Sequence, residues 1–271
     1  MKYKNIVDNG KIPVIGLGTW EVGGHRSPDY SQDDEIVAAF RAALELGYTH
    51  IDTAEMYGGG HTEELVEQAI HDVTRQDLFI TSKVWHTNLH YQDVLNAAAG
   101  SLKRLGTDYL DLYLIHWPND RVPLEETFKA LNELVERGQV RRLGVSNFNL
   151  RQLKQARQLS QTKLVCNQVP YSLFHREYVN NGVLEYCQEN GLLVTAYTPI
   201  EKGRVANNAD LKQIAEKYAA TPVQVALSWL VNQPQVITIP MSTNKKHLAE
   251  NLGAADLELS EEDTQRLDQL R

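Results

Sequence analysis

The chain has 271 residues, a formal net charge of -8, 42% hydrophobic residues and 23% charged residues. That balance is ordinary for a folded globular protein and excludes disordered and fibrous classes, while the acidic excess argues against nucleic acid or an anionic membrane as a main partner, since both attract basic surfaces. No apolar run approaches the roughly 20 residues that span a bilayer, and the opening MKYKNIVDNGKIP lacks the apolar core of a signal peptide, so a cytoplasmic protein is expected.

The elements alternate in type from one end to the other. Asn9-Gly10 supplies the positive φ of a β-hairpin turn between two short apolar runs, placed to cap one mouth of a barrel. Short β-rich runs then follow at 14–20, 50–54, 78–84, 110–117, 140–146, 164–170, 192–198 and 236–242, with helix-spaced segments between them. Most of these runs are continuously apolar, as strands covered on both faces of a parallel sheet are. Several helical segments end in Gly, which favours the left-handed C-terminal cap, and Ser260 followed by acids starts a final helix. No linker-like tract interrupts the series, so residues 1–271 read as one domain, an α/β protein with a (β/α)8 TIM barrel, an N-terminal hairpin cap and an additional C-terminal helix. An open doubly wound sheet produces the same local pattern. Cys166 and Cys187 read as buried free thiols, and neither has the spacing of a metal site.

In a βα barrel the reactive groups sit where strands end. Asp52 closes the second run, Tyr57 follows it, Lys83 lies at the end of the third and His116 at the end of the fourth. Adjacent strands lie about 4.8 Å apart, so these groups converge. A cation beside a phenol lowers the phenol's pKa, and Asp52 is placed to keep Lys83 charged. Such a group suits proton donation from Tyr57 to an oxygen becoming an alkoxide, with His116 orienting the carbonyl. None of the four delivers hydride, so a nicotinamide cofactor is required. Singly, each residue has an ordinary structural reading as a cap, a surface lysine, a satisfied histidine or a packing aromatic; the joint placement carries the inference. Gly58, Gly59 and Gly60 fit neither a P-loop nor a spaced GxGxxG and read as a flexible exit into a helix capped by Thr62.

GLGTW, DTAEMYG, TSKVW, LDLYLIHWP, GVSNF, NQVPY, AYTPI and IPMSTNKKHLAENL occur in the order in which the aldo-keto reductase family carries its motifs, and the chain resembles that family over essentially its whole length. The resemblance implies NADPH-dependent reduction of aldehydes and ketones by a tetrad of Asp52, Tyr57, Lys83 and His116. It places cofactor contacts on Gly18, Thr19, Trp20, Asp52, Ser146, Asn147, Gln168, Tyr197, Thr198, Pro199, Ile200, Pro240, Met241, Ser242, Thr243, His247, Glu250 and Asn251. Substrate contacts fall on Trp20, Tyr57, Trp85, His86, His116 and Trp117. No metal is implied, and a monomer is expected.

The chain departs from the family where two cations usually hold the 2′-phosphate of NADPH: those positions are Met241 and His247. Methionine cannot pair with a phosphate, and histidine is mostly neutral at pH 7, so NADH is expected to serve as well. Two other readings stand beside the reductase: a cofactor-binding regulatory protein on the same fold, and a lyase using Lys83 as a Schiff-base amine.

Overall fold

The structure, a computed structural model, describes residues 2–270. The N-terminal hairpin pairs β1 (Tyr3–Asn5) antiparallel to β2 (Lys11–Pro13), with Asn9 at φ 66° in the turn. Ile6 and Ile12 project from it into a cluster with Phe79, Leu112, Val165, Leu193 and Ile237, so the hairpin plugs the end of the barrel where the strands begin.

Eight parallel strands follow: β3 (Leu17–Gly18), β4 (His50–Asp52), β5 (Phe79–Val84), β6 (Leu112–Ile115), β7 (Leu143–Ser146), β8 (Cys166–Pro170), β9 (Leu193–Tyr197) and β10 (Val236–Thr238). Each pairs with its sequence neighbours. The sheet closes through a parallel bridge between Ile15 and Thr238, with Gly16 N–H donating to Thr238 O and Thr238 N–H to Val14 O, both at 2.9 Å. Gly18 passes so close to β10 that a Cβ there would stand 2.4 Å from Ile239 O. All eight expected strands are present within their expected spans, trimmed at the ends where loops begin.

Helices ring the outside, among them 33–46, 61–70, 91–104, 124–136 and 150–159, and the crossover from β9 to β10 carries both 209–217 and 222–232. The helical segment that follows β8 is two pieces, Glu177–Asn180 and Val183–Glu189, because Gly182 between them adopts φ 79°. Ser260 caps the last helix, Glu261–Asp268, by accepting from Asp263 N–H. Thr62 does not cap helix 61–70; its hydroxyl donates to Val22 O at 2.6 Å, and Gly60 occupies the cap position. Both cysteines are buried and free.

Candidate active site

The barrel places the four central residues at adjoining strand ends. Asp52 is the last residue of β4 and pairs in register with Thr81 of β5; Lys83 stands two residues further on, one pleat period, and so shares that face. His116 follows β6 directly, its N–H donating to Val84 O at 3.0 Å. Tyr57 begins the turn Tyr57–Gly60 that leads into helix 61–70.

Lys83 is completely buried, and its three N–H groups all find acceptors: Asp52 Oδ1 at 2.5 Å, Thr53 O at 2.9 Å and Tyr57 Oη at 3.1 Å. Only an ammonium has three protons to give, so this geometry belongs to the charged lysine. Burial by itself would lower the Lys83 pKa, but Asp52 and Tyr57 outweigh it and hold it raised. Because Lys83 donates to the phenol oxygen, the Tyr57 proton is left for a partner on the cleft side.

The Tyr57 pKa departs from the sequence expectation. Burial pushes it above the ordinary phenol value; Lys83 pulls it down, but Asp52 pushes it up and cancels part of that pull. Lys83 and Asp52 act as a nearly neutral pair, so the ammonium does not turn Tyr57 into a phenolate. The group is a protonated phenol throughout the neutral range.

Burial, with Lys83 and His86 nearby, depresses His116 to about 2. Its imidazole is therefore neutral and carries one N–H. Nδ1 is buried without a hydrogen-bond partner, and a buried orphan acceptor is tolerated better than a buried orphan donor. This favours the tautomer with the proton on Nε2, at the ring edge toward the cleft. The rings of Trp20 and His116 lie edge-on to Tyr57 at 4.8 and 5.6 Å, and Trp85 lies 5.0 Å from His116.

A second network starts from the same aspartate. Gln168 donates to Asp52 Oδ2 at 2.8 Å, Ser146 Oγ donates to Gln168 O at 2.9 Å, and Asn147 donates to His116 O and Ser146 Oγ, each at 3.0 Å. Tyr197 donates to Asn147 Oδ1 at 2.9 Å, which fixes its ring at the end of β9. Asn147 and Thr198 have positive φ, 62° and 53°, conformations uncommon for non-glycine residues and characteristic of functional sites.

These groups surround a cleft of about 450 Å3. Of the expected residues, Gly18, Thr19, Trp20, Asp52, Tyr57, Trp85, His116, Trp117, Ser146, Asn147, Gln168, Tyr197, Thr198, Pro199, Ile200 and Met241 line it. Lys83 lies behind them. His86 sits just outside, with its ring 4.5 Å from Trp85 and its carbonyl accepting from Asn119. Pro240, Ser242, Thr243, His247, Glu250 and Asn251 lie beyond the cleft wall, on the strand exit and the helix Lys245–Gly253. Asn244 caps that helix, accepting from Lys246 and His247 N–H; His247 is exposed and Asn251 buried.

Five lining residues did not emerge from the sequence: Glu21, His25, Arg26, Met56 and Ile239. The signal available for the first three was the length of the stretch between β3 and the helix at 33, since long irregular loops in compact domains are commonly functional.

The donor set fits a nicotinamide. Hydroxyl and amide groups of Ser146, Asn147 and Gln168 stand at adjoining strand ends beside the flat ring of Tyr197, and the cleft volume lies in the range of small-molecule pockets. Fold and site together define a (β/α)8 barrel whose strand ends gather a buried ammonium, a phenol and a neutral imidazole around one cleft. Residues 14–271 match the Aldo/keto reductase family. The chain is 38% identical to methylglyoxal reductase YeaE of Escherichia coli, over 99% of this chain and 95% of that one, and 37% identical to a glyoxal reductase of Bacillus subtilis, over 96% and 89%. Among solved structures, a thermostable aldo-keto reductase, Tm1743, in complex with the inhibitor epalrestat superposes with TM-score 0.98 at 48% identity, covering 100% of both chains. An aldo/keto reductase from Klebsiella pneumoniae in complex with NADP and acetate gives 0.91 at 37%, covering 99% and 95%. The chain belongs to the aldo/keto reductase family.

Proposed function

We propose that the chain, acting as a single domain, reduces small aldehydes and ketones with NADPH, using Tyr57 as the proton donor. As a member of its family it is an NAD(P)H-dependent oxidoreductase of carbonyl compounds. The observation that carries the assignment of roles is the Lys83 ammonium, fully buried and shared among Asp52, Thr53 and Tyr57.

Ser146, Asn147, Gln168 and the Tyr197 ring would hold the nicotinamide, whose chemistry when bound is hydride donation. His116 donates its N–H to the carbonyl oxygen and fixes its direction. Tyr57 releases its proton to that oxygen as negative charge develops there. Lys83 then faces the phenolate it already touches, and Asp52 keeps Lys83 charged through the exchange. The same pairing argues against a Schiff-base amine, which must be neutral to attack. Trp20, Trp85 and Trp117 supply apolar walls that exclude water, and the similarity to methylglyoxal and glyoxal reductases supports compact carbonyl substrates.

We read the protein as cytoplasmic and monomeric. Two buried free thiols suit a reducing compartment, and no helix among the described residues is long and apolar enough to cross a membrane. Sedimentation velocity tests the monomer.

Tyr57→Phe is the direct test of the acid. Removing a general acid costs about a hundred- to ten-thousandfold, so kcat/KM for aldehyde reduction should fall by that order while NADPH binding, read by fluorescence, changes little. Reduction at the wild-type rate in this variant would remove Tyr57 as the proton donor.

A further inference from the structure

Beyond Thr19 and Trp20, the segment between β3 and helix 33–46 has been given no role. Residues 19–32 contain no regular element, yet they are tied down along their length. Val22 O accepts from Thr62 Oγ1 at 2.6 Å, Gly23 O from Asp29 N–H at 3.0 Å, and His25 O from Gly58 N–H at 3.0 Å. The far end is held by Tyr30, whose ring lies 4.4 Å from His61, itself hydrogen-bonded to Asp33 and Glu64. This is a fixed loop, and it carries Arg26 into the lining of the cleft.

Arg26 is one of several arginines, with Arg121 and Arg151, that have no carboxylate partner among the described residues, and of these it alone lines the cleft. Others are paired: Arg75 and Arg141 with Asp111, Arg104 with Glu63 and Arg142 with Asp8. Arg26 is exposed and, among the described residues, has no carboxylate within ion-pair distance. Its backbone rests on the turn that starts with Tyr57: Arg26 O would lie 3.2 Å from a Cβ on Gly59. Two ring contacts, His25 to Trp20 at 4.7 Å and Trp20 to Tyr57 at 4.8 Å, connect the loop to the proton donor. Of the other charged groups on the cleft wall, Glu21 is engaged in an interaction of its own, and Asp52 is neutralised by Lys83. Arg26 therefore brings a cation to the lining of the cleft, on the same loop as Trp20, where partial exclusion of water strengthens an ion pair. Its planar fork matches a carboxylate bidentately. On a chain of net charge -8, an anion needs such a local cation to enter.

We propose that Arg26 is a specificity-determining residue that recognises a carboxylate on the substrate, so that the preferred substrates are aldehydes and ketones bearing a carboxylate a few bonds from the reacting carbon. This rests on the reductase reading above. The test compares a matched pair, 4-carboxybenzaldehyde and its neutral relative methyl 4-formylbenzoate, by steady-state NADPH oxidation. Wild-type enzyme should favour the acid by about tenfold in kcat/KM, mainly through KM, as a charge-assisted contact in a partly desolvated site provides. Added salt should narrow that preference, a result that needs no variant. Arg26→Met should collapse the acid-to-ester ratio, and Arg26→Lys should retain part of it. Equal turnover of acid and ester by the wild type, a ratio unchanged in Arg26→Met, or a defect appearing in the KM for NADPH would each overturn the assignment. Oxidation of NADPH with neither aldehyde would instead overturn the reductase reading, and this proposal with it.

Discussion

Lys83 and His50 show two ways in which this barrel holds a basic side chain away from water. Lys83 has three acceptors and stays charged. His50 has one hydrogen-bond partner, Thr81 Oγ1 at 3.2 Å, and burial depresses its pKa to about 4, so it stays neutral. His116 is neutral for the same reason, at about 2. Folding holds both histidines below the ordinary value near 6.5. As pH falls below about 6.5, the unfolded chain takes up protons that the native state refuses. Stability from these two groups is therefore present above that pH and is lost on acidification, through about 4 for His50 and lower for His116. The slope is about 1.4 kcal/mol per pH unit for each. Urea unfolding at pH 7 and pH 5 should differ by about 3–4 kcal/mol from this source, and His50→Gln should remove about half of the difference; equal stability at both pH values would refute it. The sequence placed Asp52, Lys83 and His116 at strand ends, but the direction of the Tyr57 shift was not legible in it. That direction depends on how completely Asp52 neutralises Lys83 and how deeply the phenol is buried, both products of packing.

At the scale of elements, the turn Tyr57–Gly60 has a larger part than its sequence suggested. Gly58, Gly59 and Gly60 have φ of 56°, 64° and 101°, so the stretch is a specified left-handed turn and not a loose exit. A Cβ on Gly58 would also stand 2.5 Å from Gly23 O, in the backbone of the loop 19–32. Gly58→Ala therefore combines left-handed strain of about 1–2 kcal/mol with displacement of the loop that carries Trp20, His25 and Arg26. Activity should fall at least about tenfold, since misplacement near 1 Å costs on that order or more. Gly47, at φ 104° with nothing within 4 Å of its would-be Cβ, is the control: Gly47→Ala should lower the melting temperature and leave kcat/KM unchanged. Equal activity of the two variants would mean that the turn does not position the loop. The Thr62 reading failed for a related reason. The hydroxyl followed the helix start in sequence as a cap would, but Val22 O, brought across from another loop, captured it.

The whole barrel brings together residues from one end of the chain to the other, and the cofactor question belongs at this scale. The adenosine half of NADPH is expected near Met241, His247, Glu250 and Asn251, on the exit of β10 and the following helix. Met241 is 38% exposed at the cleft edge and offers no charge. The lysines nearby face carboxylates of their own: Lys245 lies 3.4 Å from Glu45 and Lys246 3.7 Å from Glu250. Exposed pairs of this kind are weak, so they reduce the pull on a 2′-phosphate without abolishing it. The expected preference for NADPH over NADH in kcat/KM is below about a hundredfold, and Met241→Lys should raise it by about tenfold, the effect of one added charge-assisted contact. A wild-type preference of several thousandfold would show that the phosphate is held by other groups.

The sequence by itself determined the eight strands, the hairpin plug, the barrel class and the positions of Asp52, Tyr57, Lys83 and His116. Continuous apolar runs and helical spacing are local patterns, and a barrel converts a local position, the end of a strand, into a place around a common mouth. The tertiary structure alone decided which side chains share protons, which way each pKa moves and which loop covers the phenol. Those outcomes depend on burial and on contacts between residues far apart in the chain, such as Gln168 with Asp52, Thr62 with Val22 and Gly58 with His25. Arg26 is the clearest case: it stands in the sequence as one surface cation among 27 lysines and arginines, and it acquires a role only when the glycine turn seats its loop against the cleft.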